Sequence, residues 1–355
     1  KTGCKMKNGQ KSQTTTQSKQ VILITGATGY VGGRLLKRLE DGKLSIRCIA
    51  RNPQYLVPRV DSKTEVVGGD VLDAQTLGLV MKNVTTAFYL IHAMGKSKNF
   101  EHDELLGARN FAHAAKQAGV KRIIYLGGII NQEEQLSPHL RSRKAVGDAL
   151  RESGVETIEL RASIIIGAGS ASFDMIRALV ERLPVMLTPR WVSTPAQPIG
   201  IKDVLDYLEE SIGIYTQGQT IFEIGGSQAL SYRSMMEEYG LQRGLRRLMI
   251  PVPILTPRLS SLWLGLVTPL YARVGRTLID SIKHPTVVRD HAASSIFDIV
   301  PMSPHEAISL ALKHEKEEIE KSNWADAVSS SGIPMRWGGV RLGSRIVDMR
   351  KINVN

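Results

Sequence analysis

The sequence predicts an α/β protein: a doubly wound parallel sheet followed by a smaller C-terminal α/β region. Three observations predict it. A β-branched run, 21–25, leads directly into Gly26-x-x-Gly29-x-x-Gly32 and a helix-spaced stretch, 34–40. Five further short apolar strands then alternate with helical stretches up to residue 166. Beyond residue 167 the alternation loosens and a proline-rich stretch, 184–198, intervenes. Strands alternating with helices of this length imply parallel neighbours, helices on both faces and right-handed crossovers.

The first element is a buried strand, a glycine turn and a helix start. Gly26 allows the tight turn, Gly29 lets backbone approach a pyrophosphate, and Gly32 lets the helix pack closely. The pyrophosphate then sits on the free N–H groups of the helix start. The strand before the glycines and the helix after them are the context this motif needs, and they make the fold Rossmann-type. The turn gives Gly26, Thr28, Gly29, Tyr30, Val31 and Gly32 as cofactor-binding residues.

The second strand, 45–50, ends in Arg51, where NAD-specific folds carry a carboxylate. A guanidinium there suits the 2′-phosphate of NADP, with NAD the second choice. The third strand, 64–70, delivers Asp70 and Val71 to the adenine edge. The fourth, 85–92, delivers His92, Ala93 and Met94 towards the pyrophosphate and nicotinamide ribose. Strands at 121–127 and 157–166 complete this half, with helices at 74–81, 103–118 and 140–152 between them. The later part reads as helices at 173–183, 203–212, from 232 and at 304–321, with a strand at 220–224. Insertions here usually build the substrate side, so residues 21–320 are read as one nucleotide-binding domain. Residues 321–355 read as a linker and the start of a second, truncated domain, with a strand beginning near 345.

Composition narrows the function classes. Net charge is +12, but five lysines fall in residues 1–20, which contain no acidic residue and read as a disordered leader. No nucleic-acid recognition motif appears, so specific DNA or RNA binding is not expected. Two cysteines, Cys4 and Cys48, form no disulfide framework or metal spacing, which predicts a reducing, cytoplasmic setting and no metal site. The apolar segment 248–271 is broken by prolines and is too short for a spanning helix, leaving peripheral membrane contact as its membrane option.

The motifs TGATGYVG (25–32), ARN (50–52) and GDVLD (69–73) resemble the atypical short-chain dehydrogenase/reductases with an NmrA-like core. The stretches YLIHAMG (89–95), ELRASIIIGAGSASFDMIR (159–177) and LPVMLTPRWVSTPAQPIGIKDV (183–204) are similar to a bacterial NAD(P)-binding group in which a second C-terminal domain often follows. The resemblance implies NAD(P) binding and names no substrate; the function expected is NADPH-dependent hydride transfer to a hydrophobic carbonyl, enone or quinone-like substrate. The alternative is a non-catalytic NADP-binding redox sensor or scaffold.

One departure from that family matters. Its reductases use Tyr-x-x-x-Lys, where the lysine lowers the tyrosine pKa and the tyrosine passes a proton to the carbonyl oxygen. Lys144 fits the lysine position here, but Leu140 stands for the tyrosine, and the serine after the fifth strand is replaced in Leu126-Gly127-Gly128. Lys144 is therefore expected to hold the nicotinamide ribose, with His139 or Tyr125 as substitute donor. Ser170, Phe173, Arg190 and Trp191 are expected to contact the substrate. Oligomeric state is not readable from the sequence.

Overall fold

The computed structural model describes residues 20–42, 44–92, 99–130, 136–216, 218–252, 283–314, 340–342 and 345–347. Strand β1 (Val21–Ile24) is followed by α1 (Tyr30–Glu40), β2 (Ser45–Ala50), β3 (Glu65–Gly68), α2 (Ala74–Val80) and β4 (Val84–Tyr89). Then come α3 (Phe100–Gln117), β5 (Arg122–Gly128), α4 (Pro138–Glu152) and β6 (Glu156–Ala162). The β7 pair Ile165–Ile166 leads to α5 (Ala171–Arg182), β8 (Val185–Pro189), β9 (Pro195–Ala196), β10 (Ile199–Gly200) and α6 (Ile201–Glu210). Next are β11 (Ile221–Ile224), β12 (Leu230–Ser231), α7 (Tyr232–Gln242) and β13 (Leu248–Val252). The short α8 (Ala292–Ile296) and α9 (Pro304–Lys313) follow.

Seven strands form one parallel sheet in the order β11-β6-β5-β4-β1-β2-β3. The strand order reverses at β1, with β2 on one side and β4 on the other, which is where such sheets open a crevice. Strand alternation divides the core. Ile22, Ile24 and Phe88 pack with Leu35, Leu36 and Leu39 of α1 and Leu208 of α6 on one face. Leu23, Ala87 and Tyr89 pack with Leu77 of α2, Phe111 of α3 and Leu150 of α4 on the other. Both faces are covered, so the strands read as continuous apolar runs rather than alternating ones.

Differences from the sequence reading are local. The expected strand 157–166 is two elements, because β7 leaves the main sheet to pair with β10. The proline-rich stretch contains β8, which pairs in parallel with β13, and a 3-10 turn, Arg190–Ser193. Proline lacks the N–H for a ladder but tolerates an edge, and these small ladders have edges. Residues 345–347 pair antiparallel with 340–342 in a hairpin. The leader to residue 19 and most of 248–271 lie outside the described residues. Among the described residues no helix is long and apolar enough to cross a membrane.

Candidate functional site

A cleft of about 450 Å³ runs along the carboxyl ends of β1 to β6. Its floor is fixed by Thr25, whose hydroxyl donates to the Phe88 carbonyl (3.0 Å) and accepts from the Leu90 N–H (2.9 Å). That pins the glycine turn to the end of β4. Gly26 has φ +69°, and a Cβ there would lie 2.5 Å from the Leu90 carbonyl oxygen. A Cβ on Gly32 would lie 2.2 Å from the Gly26 carbonyl oxygen, so this glycine packs the helix on the turn itself. Gly29 is the N-cap of α1 and has no side chain to occupy the helix end. The first-turn N–H groups of an α-helix lack intrahelical acceptors. Thr28, Gly29, Tyr30, Val31 and Gly32 all line the cleft. A pyrophosphate fits this cradle because the helix end carries no capping side chain and its first-turn N–H groups are open to an anion.

Arg51 lines the same cleft just after β2, exposed to solvent. Asp70 and Val71 line it after β3, with Asp70 Oδ1 accepting from the Leu72 N–H (3.0 Å). Arg34 donates to the Ala168 carbonyl (2.8 Å) and lies over the Tyr30 ring.

The helix α4 face differs from its sequence reading. Lys144 is not among the residues lining the cleft; its ammonium pairs with Asp148 at 3.0 Å, one turn along the helix. Leu140 faces the cleft and is 4% exposed. The other two cleft residues of this helix are His139 and Arg143, spaced i, i+4. Tyr125 is a core residue: its hydroxyl donates to the Arg143 carbonyl (3.0 Å), and burial pushes its pKa up to about 12.

His139 belongs to a chain of contacts that the sequence reading missed. Its Nε2 lies 2.9 Å from His92 Nε2, and His92 Nδ1 lies 3.0 Å from Glu104 Oε1. The Ser142 hydroxyl donates to the other Glu104 oxygen. Burial by itself would raise the Glu104 carboxyl, but His92, Arg143 and Ser142 together hold it below the usual carboxylate range. Burial first, then the charges of His92 and Arg143, hold the His139 pKa well below that of a free imidazole. His92 thus sits between an anionic carboxylate and a neutral imidazole. Ala93 and Met94 lie outside the described residues.

The far end of the cleft is apolar. Ile164, Ile165, Ala171, Ala196 and Tyr232 line it, joined by the hydroxyls of Ser163 and Thr286, which lie 2.6 Å apart. Thr286 comes from a segment that crosses back and bonds the backbone of Pro195 and Gln197. Ser170 lines the cleft, but its hydroxyl caps α5 through the Phe173 N–H (3.2 Å) and donates to the Ile165 carbonyl (2.8 Å). Phe173, 2% exposed, packs edge-on to Tyr239 in the core and does not line the cleft. Neither do Arg190, which is exposed, and Trp191, whose ring meets Tyr232 edge-on.

Comparison with known proteins agrees with this geometry. Residues 26–166 match a family described as NAD(P)H-binding. A ceramide reductase of Caulobacter vibrioides is 32% identical over 177 residues, 48% of this chain and 54% of that protein. A (4-alkanoyl-5-oxo-2,5-dihydrofuran-3-yl)methyl phosphate reductase of Streptomyces griseus is 29% identical over 184 residues, 50% of this chain and 61% of that protein. The chain therefore spans about half the length of these relatives. Among solved structures, the Citrobacter sp. triphenylmethane reductase complexed with NADP(H) superposes with TM-score 0.66 at 17% identity. That match covers 82% of this chain and 99% of that one. An Escherichia coli NADPH-dependent quinone oxidoreductase superposes with TM-score 0.63 at 19% identity, with the same coverage. At these identities the structures share the fold. From the glycine turn to the end of β7, residues 26–166 thus carry the match to an NAD(P)H-binding family on a Rossmann-type sheet.

Proposed function

We propose that the protein is an NADPH-dependent reductase acting on a small apolar carbonyl, enone or quinone-like substrate. One observation carries this reading: a single cleft joins the glycine turn and Arg51 at one end to an apolar chamber at the other, with His139 and Arg143 between them. The ends of such a cleft suit a phosphate-rich cofactor and an apolar substrate respectively. When bound, NADPH supplies the hydride; the protein supplies orientation, charge and exclusion of water. The names of the relatives, which describe reductases, support the same class of reaction.

The test is loss of NADPH absorbance with a panel of p-quinones, activated enones and aldehydes. Turnover of at least one class is expected. If none reacts, and NADPH binding instead alters protease cleavage or partner capture, a non-catalytic nucleotide-sensing role replaces the reductase.

Cofactor choice gives a second expected result. Arg51 lies at the end of β2, where the adenosine ribose of such folds is held. NADPH should bind more tightly than NADH by about 1–3 kcal/mol, the scale of a hydrogen bond to a charged group. Arg51→Ala should remove most of that preference and leave NADH affinity nearly unchanged. Calorimetry on both proteins decides it; equal affinities in the parent would remove Arg51 from the role.

A further inference from the structure

His139 and Arg143 stand on one face of α4 at the i, i+4 spacing of a Tyr-x-x-x-Lys pair, shifted by one residue from Leu140 and Lys144. In that pair a cation lowers the pKa of the proton donor one turn away. Here the Arg143 guanidinium acts in the same direction on His139. Behind His139 lie His92 at 2.9 Å and Glu104 at a further 3.0 Å. Glu104 has only 4% of its side chain exposed, and Ser142 occupies its second oxygen. A buried carboxylate that is not charge-balanced is expensive, so this one favours a proton on the imidazole beside it.

Resting on the reductase reading above, we propose that His139 is the proton donor of this site and that His92 and Glu104 reload it. In the proposed resting state Glu104 is anionic, His92 is an imidazolium donating from Nδ1 to Glu104 and from Nε2 to His139, and His139 is neutral. With its Nε2 accepting, neutral His139 carries its proton on Nδ1.

The step balances. Bound NADPH would supply the hydride and be left as NADP⁺; the new C–H bond would form at the carbonyl carbon as the C=O π pair moves onto oxygen. The His139 Nδ1–H bond breaks as the new O–H bond forms. The His92 Nε2–H bond breaks as a proton arrives on His139 Nε2. The imidazolium charge on His92 is consumed, matching the hydride delivered, and both imidazoles end neutral. A solvent proton then adds to His139 Nδ1 as the Nε2 proton returns to His92 Nε2, which restores the imidazolium on His92 and the starting tautomer of His139. His139 is the catalytic residue. His92, Glu104 and Ser142 position and recharge it, and Arg143 tunes it. Among the described residues, the charged groups that act on the pair are Glu104 from α3 and Arg143 from α4.

The first arm of the test uses no turnover. In protein carrying ¹⁵N-labelled histidines, the His92 ring should take up a proton at higher pH than the His139 ring does. Glu104→Gln, nearly isosteric, should move the His92 titration to lower pH. Two rings titrating alike, or no response to Glu104→Gln, would overturn the relay. The second arm is kinetic. His139→Phe, or His139→Gln if the first does not fold, should lower kcat for an aldehyde by about 10²–10⁴-fold, the range of a positioned general acid. NADPH affinity should stay within about twofold. In the parent, kcat/KM should fall as pH rises through the His92 titration, and Glu104→Gln should move that fall to lower pH. If the parent reduces aldehydes and the His139 variants stay within about threefold of it, the relay is overturned while the reductase reading stands. If the parent reduces no carbonyl, the reductase reading fails and the relay's catalytic role fails with it.

Discussion

Gly29→Val is expected to abolish NADPH binding and leave the protein folded. Gly29 caps α1 with φ −86° and ψ 174°, an extended backbone that any residue adopts, so valine adds no backbone strain. Its side chain would enter the cleft at the open end of the helix, where the first-turn N–H groups face a bound phosphate. Displacing a pyrophosphate from that cradle should cost on the order of 10³-fold in affinity, roughly 4 kcal/mol. Gly32→Ala is the contrast. Its methyl would sit 2.2 Å from the Gly26 carbonyl oxygen, so the turn must move and stability falls with binding. Overpacking of this kind costs about 1–3 kcal/mol. Calorimetry paired with thermal melts separates the two. A Gly29→Val protein that still bound NADPH normally would show that the turn does not hold the phosphates.

The glycine turn was legible because its chemistry is local: spacing, a strand before and a helix after lie within about a dozen residues. The parallel sheet was legible for the same reason, since alternation is a local signal. The helix face of α4 was not. Aligning Leu140 and Lys144 to a family motif fixed a register by sequence position, while packing set it differently. The chain held a clue, because Lys144 and Asp148 stand four apart and such pairs belong on a solvent face. The contacts among His92, Glu104 and His139 join the segment after β4 to α3 and α4, so no local pattern could reveal them. Phe173 and Trp191 failed as cleft residues for a related reason: an aromatic near a site is more often core, and these two pack on Tyr239 and Tyr232.

Glu159→Ala should be among the most destabilising single changes in the sheet, by about 3–5 kcal/mol. The Glu159 side chain is 1% exposed on β6 and pairs with Arg161 at 2.7 Å and with Arg151 of α4. Space for its carboxylate exists because Gly127 and Gly147 face it; a Cβ on Gly147 would lie 2.5 Å from Oε2. Removing the carboxylate takes the shared counter-charge from two mostly buried guanidiniums, 12% and 21% exposed, of which Arg151 keeps its pair with Asp148. Urea unfolding would show the loss as a lower midpoint. A loss under about 1 kcal/mol would mean that the arginines reach solvent and the pair behaves as a surface one.

The cleft draws its walls from the ends of six strands, β1 to β6, separated by more than a hundred residues of chain. No fragment short of the assembled sheet presents them together, so a nucleotide that binds here binds the native state alone. By mass action, NADPH at about a hundred times its dissociation constant adds about 2.7 kcal/mol to stability. Wherever the open form feeds proteolysis, cellular NADPH supply would then set how much of this protein survives, independently of any reaction it performs.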